Sequence, residues 1–224
     1  MYRMFPLVCL TLLLLSSCKR PIEKDLDDEN DRNASFISNK PGSWWVYGVS
    51  DGTVNKRVAT GEDSLMQERT FDYYELIDTV TGNTVPEYFA KNQEYMLMLI
   101  DIDGERKNYG LMVVYKENAQ VGDSWMNTGN FTFSGVPIQG KIEGTVESIN
   151  GTKTIGDHTF TQVSVIHNEL KAKLVGSPAY TNCGTARIWF AQGIGVIKSE
   201  YDFQIGSFLD REYSDSLLSY HLQP

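Results

Sequence analysis

The three cysteines determine which thiol chemistry the chain can perform. Cys9 and Cys18 lie close to the amino terminus, and Cys183 lies far along the chain, among residues with the composition of a folded domain. If Cys9 is removed with the amino-terminal segment and the Cys18 thiol is modified, Cys183 has no second cysteine with which to form a disulfide. We expect Cys183 to be either a small buried hydrophobic residue or a reactive thiol. No Cys/His cluster has the spacing of a metal site, so we predict no metal and no cofactor.

Residues 1–17 have the three-part layout of a secretory signal peptide. Arg3 provides a short positive start, an almost wholly apolar run covers residues 5–15, and two serines precede Cys18. The apolar run is too short to cross a bilayer as a helix, which needs about 20 residues. We therefore expect residues 1–17 to be removed on export.

The segment Leu15-Ser16-Ser17-Cys18 resembles the lipobox of bacterial lipoproteins, in which a Cys follows the cleavage site. The resemblance implies that the Cys18 thiol carries a diacylglycerol and that the new amino terminus is acylated. Several acyl chains anchor a protein stably, because each buried CH₂ contributes about 0.8 kcal/mol. Lys19 stands where enterobacterial lipoproteins of the inner membrane have Asp, so we expect the outer membrane, at its periplasmic face or at the cell surface.

Residues 18–40 are polar and charged, without apolar periodicity. Such a composition is typical of a flexible tether. Its acidic residues also resemble a surface-export signal of Bacteroidota-type lipoproteins. We predict a single β-rich domain over residues 41–224, because this length suits one hydrophobic core.

The net charge of the chain is −9 at pH 7. An acidic protein lacks the basic face that nucleic acids and anionic membrane surfaces require, so we predict no nucleic-acid partner. Hydrophobic residues make up 41% of the chain, which is enough for a packed core. The predicted contact with the membrane is therefore through the lipid anchor.

Catalytic patterns are not recognisable in the sequence. A serine hydrolase needs a Gly-x-Ser-x-Gly turn with a His partner, and no such turn is present. The histidines lie in no pattern typical of a catalytic base or metal ligand, and they are His158, His167 and His221. We predict a non-enzymatic protein with no catalytic residues. The alternative is an envelope hydrolase with a dispersed acidic site, drawn from Asp101, Asp103, Glu143, Glu147 and Glu169.

Aromatic residues are concentrated in the first half of the predicted domain. Successive side chains of a strand point to opposite faces, so Trp45 and Tyr47 share one face while Trp44 and Val46 share the other. An aromatic face that is not packed could stack on sugars or hold an apolar ligand. Our candidate ligand-binding residues are Trp45, Tyr47 and Tyr74, and the alternative is that both faces are packed.

The domain that must position these residues is predicted to be all-β and mainly antiparallel. Short alternating or apolar runs are separated by turn signals such as Asp51-Gly52 and Asn150-Gly151. We predict strands at 44–49, 53–60, 71–79, 95–100, 109–115, 131–133, 138–150, 159–174, 185–191, 195–203 and 209–214. Only 63–69, 85–92 and the last ten residues could hold short helical turns. The pattern predicts a curved sheet, half-barrel or barrel-like single domain with little helix.

Three motifs resemble those of uncharacterised exported lipoproteins of Bacteroidota-type bacteria. They are an early W-x-Y at 45–47, a central V-G-x-x-W at 121–125 and a late W-F-A-x-G-I-G-V-I-K at 189–198. The resemblance implies a curved antiparallel sheet and no catalytic residues. We therefore predict a cell-envelope lipoprotein that binds a small lipid or glycan ligand or an envelope partner, or serves as a scaffold. A purely structural or assembly role stays open.

Overall fold

A computed structural model describes residues 37–66, 69–92, 95–101, 109–133, 135–205 and 209–224. The predicted signal peptide, the lipidation site Cys18 and most of the predicted tether lie outside these residues, as does Asp103. In the part of the chain that is described, no helix is long and apolar enough to cross a membrane.

The described residues form twelve strands, which confirms the all-β prediction. Their bounds are β1 Trp44–Val49, β2 Val54–Met66, β3 Arg69–Asp78, β4 Thr84–Asn92, β5 Tyr95–Asp101, β6 Tyr109–Lys116, β7 Ser124–Phe133, β8 Val136–Ile155, β9 His158–Leu174, β10 Thr181–Ala191, β11 Gly195–Ile205 and β12 Leu209–His221. All pair antiparallel in one sheet, in the order β6-β5-β4-β3-β2-β1-β12-β11-β10-β9-β8-β7.

The sheet curls until its two edge strands approach each other. The Trp125 indole of β7 donates to the carbonyl of Val113 in β6 at 3.2 Å, and the Val113 amide donates to the Asn127 side chain at 3.4 Å. Side chains therefore bridge β6 and β7, whereas the backbone ladder of the described residues ends at these strands. The predicted curved sheet is confirmed, and it has an enclosed inner face.

Alternating side chains place the core on that inner face. In β1, Trp45, Tyr47 and Val49 are buried while the residues between them are partly exposed. The core cluster joins residues of strands that are not neighbours in the sheet, including Val114 of β6 and Ile188 of β10. Such residues can meet only across the interior of the curl. Burial of these large side chains provides the main stabilisation of the fold.

The predicted helical turns were wrong. Residues 63–69 belong to β2 and β3 apart from 67 and 68, which are not described; residues 85–92 lie in β4, and most of the last ten residues extend β12. Each segment pairs with neighbouring strands, and this pairing outweighs weak local propensity. Asn150-Gly151, predicted as a hairpin turn, lies within β8 at a register shift, where Asn150 has φ 54°. The dipeptide therefore forms a bulge instead of reversing the chain.

Residues 37–40, the last residues of the predicted tether, contact the domain. Ile37 packs against the core cluster. The Tyr74 hydroxyl donates to the carbonyl of Ser38 at 3.1 Å, and the Asn39 amide donates to Asp72 at 3.1 Å. Residues 37–40 therefore pack against residues of the core before β1 begins.

Candidate functional site

A cavity of about 320 Å³ lies inside the curled sheet. Its residues come from eight strands, among them β6 and β10, which are far apart in the sheet order. The lining combines polar, aromatic and aliphatic side chains: Asn55, Arg57, Glu87, Ser199 and Asp215, then Tyr47, Phe89, Phe190, Tyr201, Phe203 and Tyr213, and then Leu76, Val114, Ile188 and Val196. The volume lies at the small end of the range for ligand pockets.

A tightly packed apolar region lies beside the cavity, towards the turn between β10 and β11. Trp45, Ile166 and Leu217 are fully buried there. The Trp45 indole donates to the carbonyl of Ile194 in that turn at 2.8 Å, and the Tyr47 hydroxyl donates to the carbonyl of Val196 at 2.9 Å. The early W-x-Y motif is thus hydrogen-bonded to the late motif at 189–198, so both motifs have a structural role in the core.

Arg57 is the centre of a buried polar network in the cavity wall. Its Nε and Nη2 donate to the two carboxylate oxygens of Glu87 at 2.6 and 3.1 Å, and its Nη1 donates to the Tyr47 hydroxyl at 3.0 Å. The guanidinium also lies over the rings of Tyr47 and Phe89, at 5.1 and 5.2 Å from their centroids. The bidentate pair fixes both charged groups in one geometry.

Asp215 is the second buried carboxylate of the cavity. Its Oδ1 accepts a hydrogen bond from the Ser199 hydroxyl at 2.6 Å. Burial raises the pKa of Asp215 above its ordinary value, because the ionised form loses hydration; Ser199 and Arg57 oppose this effect. Burial also raises the pKa values of Tyr47 and Tyr201 above the ordinary phenol value, so both phenols stay protonated well above neutral pH.

The raised pKa of Asp215 predicts a pH dependence of stability. Below the ordinary pKa of 3.8 the Asp215 carboxyl is neutral in both the folded and the unfolded protein. The free energy of unfolding falls as pH rises through the folded-state pKa, because the carboxyl ionises less readily in the folded protein. We therefore expect Asp215→Asn to gain free energy of unfolding relative to the native protein between about pH 3 and pH 7. Urea unfolding across this range measures the difference.

Asp123→Asn is the control for this prediction, with the opposite sign. The Lys116 ammonium donates to Asp123 and holds the pKa of that carboxyl below its ordinary value. The ionised Asp123 carboxylate therefore stabilises the folded protein at pH values above its ordinary pKa, and this stabilisation is lost as pH falls. The Asp123 variant should therefore lose stability relative to the native protein as pH rises. Equal pH profiles for the two variants would contradict the burial of the Asp215 charge.

The structure brings together the three aromatic residues predicted from the sequence. Trp45 and Tyr74 are fully buried, with their rings in an edge contact at 6.2 Å. Tyr47 lies on the same inner face and lines the cavity. Trp44, on the outer face, has the Lys56 ammonium over its ring at 5.0 Å. The role of the three residues in ligand binding stays a prediction, and Tyr47 is the one placed to contact a ligand.

The acidic residues of the alternative hydrolase site lie mainly on the outer face of β8 and β9. Glu143 pairs with Lys141 and Lys171, and Glu147 accepts a hydrogen bond from Arg187 at 2.8 Å. Glu143 and Glu169 border a shallow outer groove of about 490 Å³. The two lysines lower the pKa of Glu143, which is the reverse of what a general acid needs. The side chain of Asp101 and all of Asp103 lie outside the described part.

Cys183 is neither fully buried nor strongly exposed. Partial burial raises the pKa of its thiol. A raised pKa reduces the thiolate fraction, so the site does not have the activated thiol typical of catalytic cysteines.

Several residues of the cavity were not anticipated from the sequence. They are Asn55, Arg57, Glu87, Ser199, Tyr201 and Asp215. One signal was available for Arg57, because it has the same strand parity as Ala59 in the predicted strand 53–60, and Ala59 is buried. A charged residue in the parity of the core marks a functional candidate.

No family model matches the sequence, and no curated protein matches it. Two solved structures are similar in part. A candidate lipoprotein from Parabacteroides distasonis has 10% identity, with 84% of this chain and 99% of that chain covered at a TM-score of 0.49. LprF from Mycobacterium bovis has 10% identity, with 81% and 86% covered at a TM-score of 0.17. Similarities at this level leave the function to be argued from the chain's own residues.

Proposed function

We propose that this protein is a lipid-anchored binding module of the cell envelope that encloses a small polar ligand inside its curled sheet. The observation that carries the proposal is the cavity of about 320 Å³ with a buried ion pair and a second carboxylate in its wall. A β domain needs only apolar residues to fill its interior. Polar groups that remain in an unfilled interior favour ligand recognition over packing.

The charged groups within the largely apolar lining favour a ligand with polar groups over an acyl chain. Arg57 and Glu87 are each about one-tenth exposed and face the cavity with Asp215. An acyl chain would remove the remaining water from these groups without replacing its hydrogen bonds, which is unfavourable. Aromatic rings beside hydroxyl and carboxylate groups also suit a glycan, the other ligand class predicted from the sequence.

The experiment that tests enclosure compares two Phe substitutions on β2. Asn55 lines the cavity, while Val54, one residue earlier, has the opposite parity. We expect Asn55→Phe to fill part of the cavity and Val54→Phe to leave it open. Thermal unfolding is measured with monosaccharides, small amines and short fatty acids. The proposal requires a compound that stabilises the native protein and Val54→Phe but not Asn55→Phe.

Two results would contradict enclosure. One is the absence of any stabilising compound, and the other is equal stabilisation of both Phe variants. If Asn55→Phe does not fold, it shows no cooperative thermal transition in the absence of ligand. Asn55→Leu then replaces it as the variant that fills the cavity.

The anchor is proposed from the lipobox resemblance at Cys18. We expect Cys18→Ser to remove the mass of the acyl chains and to move the protein from the outer-membrane fraction to the soluble fraction. Intact-mass measurement and cell fractionation check both effects. An equal mass of the native protein and the Cys18→Ser variant would contradict lipidation. Recovery of the native protein in the inner membrane would contradict the proposed location.

A further inference from the structure

The positive charge in the cavity wall is already compensated. Arg57 directs two of its nitrogens to Glu87 and a third to Tyr47. A carboxylate or phosphate ligand would have to compete with Glu87 for the same donors at short range. An anionic ligand is therefore disfavoured in this cavity.

Asp215 has no ion-pair partner of this kind, although Arg57 lies close enough to oppose the rise in its pKa. Among the residues that the structure describes, Asp215 forms no ion pair, and its recorded hydrogen bond comes from the neutral Ser199 hydroxyl. The described ionisable groups of the lining, apart from the protonated tyrosines, are Arg57, Glu87 and Asp215. With both carboxylates ionised, the cavity carries one net negative charge. A cation placed there would offset the cost of ionising a buried carboxylate.

Aromatic residues lie beside Asp215 on the inner face of β11 and β12. Ser199 pairs with Asp215 across β11 and β12, and Tyr201 pairs with Tyr213 two residues further along. The rings of Tyr201 and Tyr213 are 5.8 Å apart, and Tyr201 stacks on Phe203 at 5.6 Å. Rings of this kind attract a cation through their faces, as the Arg57 guanidinium over Tyr47 already illustrates within the same cavity.

We infer that the ligand is a small organic cation, an alkylammonium group held between Asp215 and the rings of Tyr201 and Tyr213. This inference rests on the proposed binding function and names its ligand class. The side-chain amide of Asn55, which also lines the cavity, would receive the polar remainder of the molecule.

The test uses choline and ethanolamine as cationic probes, 3,3-dimethylbutan-1-ol as the neutral isostere of choline, and glucose as the neutral sugar. Binding to the full chain carrying Cys18→Ser is measured by calorimetry. We expect at least one cation to bind, and the neutral isostere to bind about tenfold more weakly than choline or not at all. Asp215→Asn should weaken cation binding about tenfold or more, since the charge is lost while the shape is kept.

Asp202→Asn is the matched control, because it removes the same charge from the same chain. Asp202 lies on β11 between Tyr201 and Phe203, with the parity of the outer face. We expect Asp202→Asn to leave cation affinity within about twofold of the native value, because the Asp202 side chain is on the opposite face of the strand and charges at a distance are screened by salt.

The failure of this inference differs from the failure of the binding function. The inference is overturned if neither cation binds, if the neutral isostere binds as well as choline, or if Asp215→Asn has no effect. If glucose or another neutral compound binds and Asn55→Phe abolishes that binding, the cavity is still a binding site and the ligand is not a cation.

Discussion

Replacing Arg57 by Met should lower the free energy of unfolding by about 3–5 kcal/mol, one of the two largest single-residue effects that we expect. The substitution leaves the Glu87 carboxylate buried without its two donors and the Tyr47 hydroxyl without the third. The methionine fills most of the volume of the arginine stem, so the loss of stability comes from the unpaired buried charge and not from a new cavity. Urea unfolding of the purified protein at neutral pH measures it.

The double variant Arg57→Met with Glu87→Leu separates pairing from packing. Removing both charges leaves no unpaired ion, so we expect the double variant to recover most of the lost stability. Arg187→Met is the surface control: Arg187 pairs with Glu147 on the outer face and its side chain is 45% exposed. Its substitution should cost less than about 1 kcal/mol. Similar losses at Arg57 and Arg187 would show that the network is solvated and that the cavity is open to bulk water.

The sheet was predictable wherever the alternation of side chains extends over a whole strand. Strand β1 has buried residues at every second position, and its predicted and observed bounds agree. Strand β4 lacks such a signal, because Pro86 and Glu87 interrupt the pattern with residues of low β propensity. Pairing with β3 and β5 on both sides forms this strand. That information comes from other parts of the chain and is not available locally.

The cavity was less predictable than the sheet, for a related reason. Tyr47 was selected as an aromatic residue in a clear strand, and it does line the cavity. Glu87 was assigned to a possible helical turn, and Asp215 fell just beyond the predicted end of a strand, so neither residue could be assigned to a face. Arg57 pairs with Glu87, which lies 30 residues further along the sequence. The network therefore depends on how the sheet curls, which one sequence does not specify.

Gly184→Ala should destabilise the protein by about 3 kcal/mol or more, through a backbone effect next to the cavity. Gly184 has φ 132°, a conformation that residues with a side chain rarely adopt, and a Cβ there would overlap the carbonyl oxygen of Asp202. It lies at a register shift of β10, where the Asn182 side chain accepts a hydrogen bond from its amide at 2.8 Å, and it pairs with Phe203, a residue of the cavity lining.

The comparison with Gly82→Ala separates this clash from conformational strain. Gly82 also has positive φ, at 73°, but nothing lies within 4 Å of the Cβ that alanine would add. Its substitution should cost only the strain of the left-handed backbone, about 1–2 kcal/mol. Urea unfolding gives both losses. If they are equal, the β10 bulge shifts to accept a side chain; if Gly184→Ala loses more and also weakens ligand binding, the bulge is what holds Phe203 against the cavity.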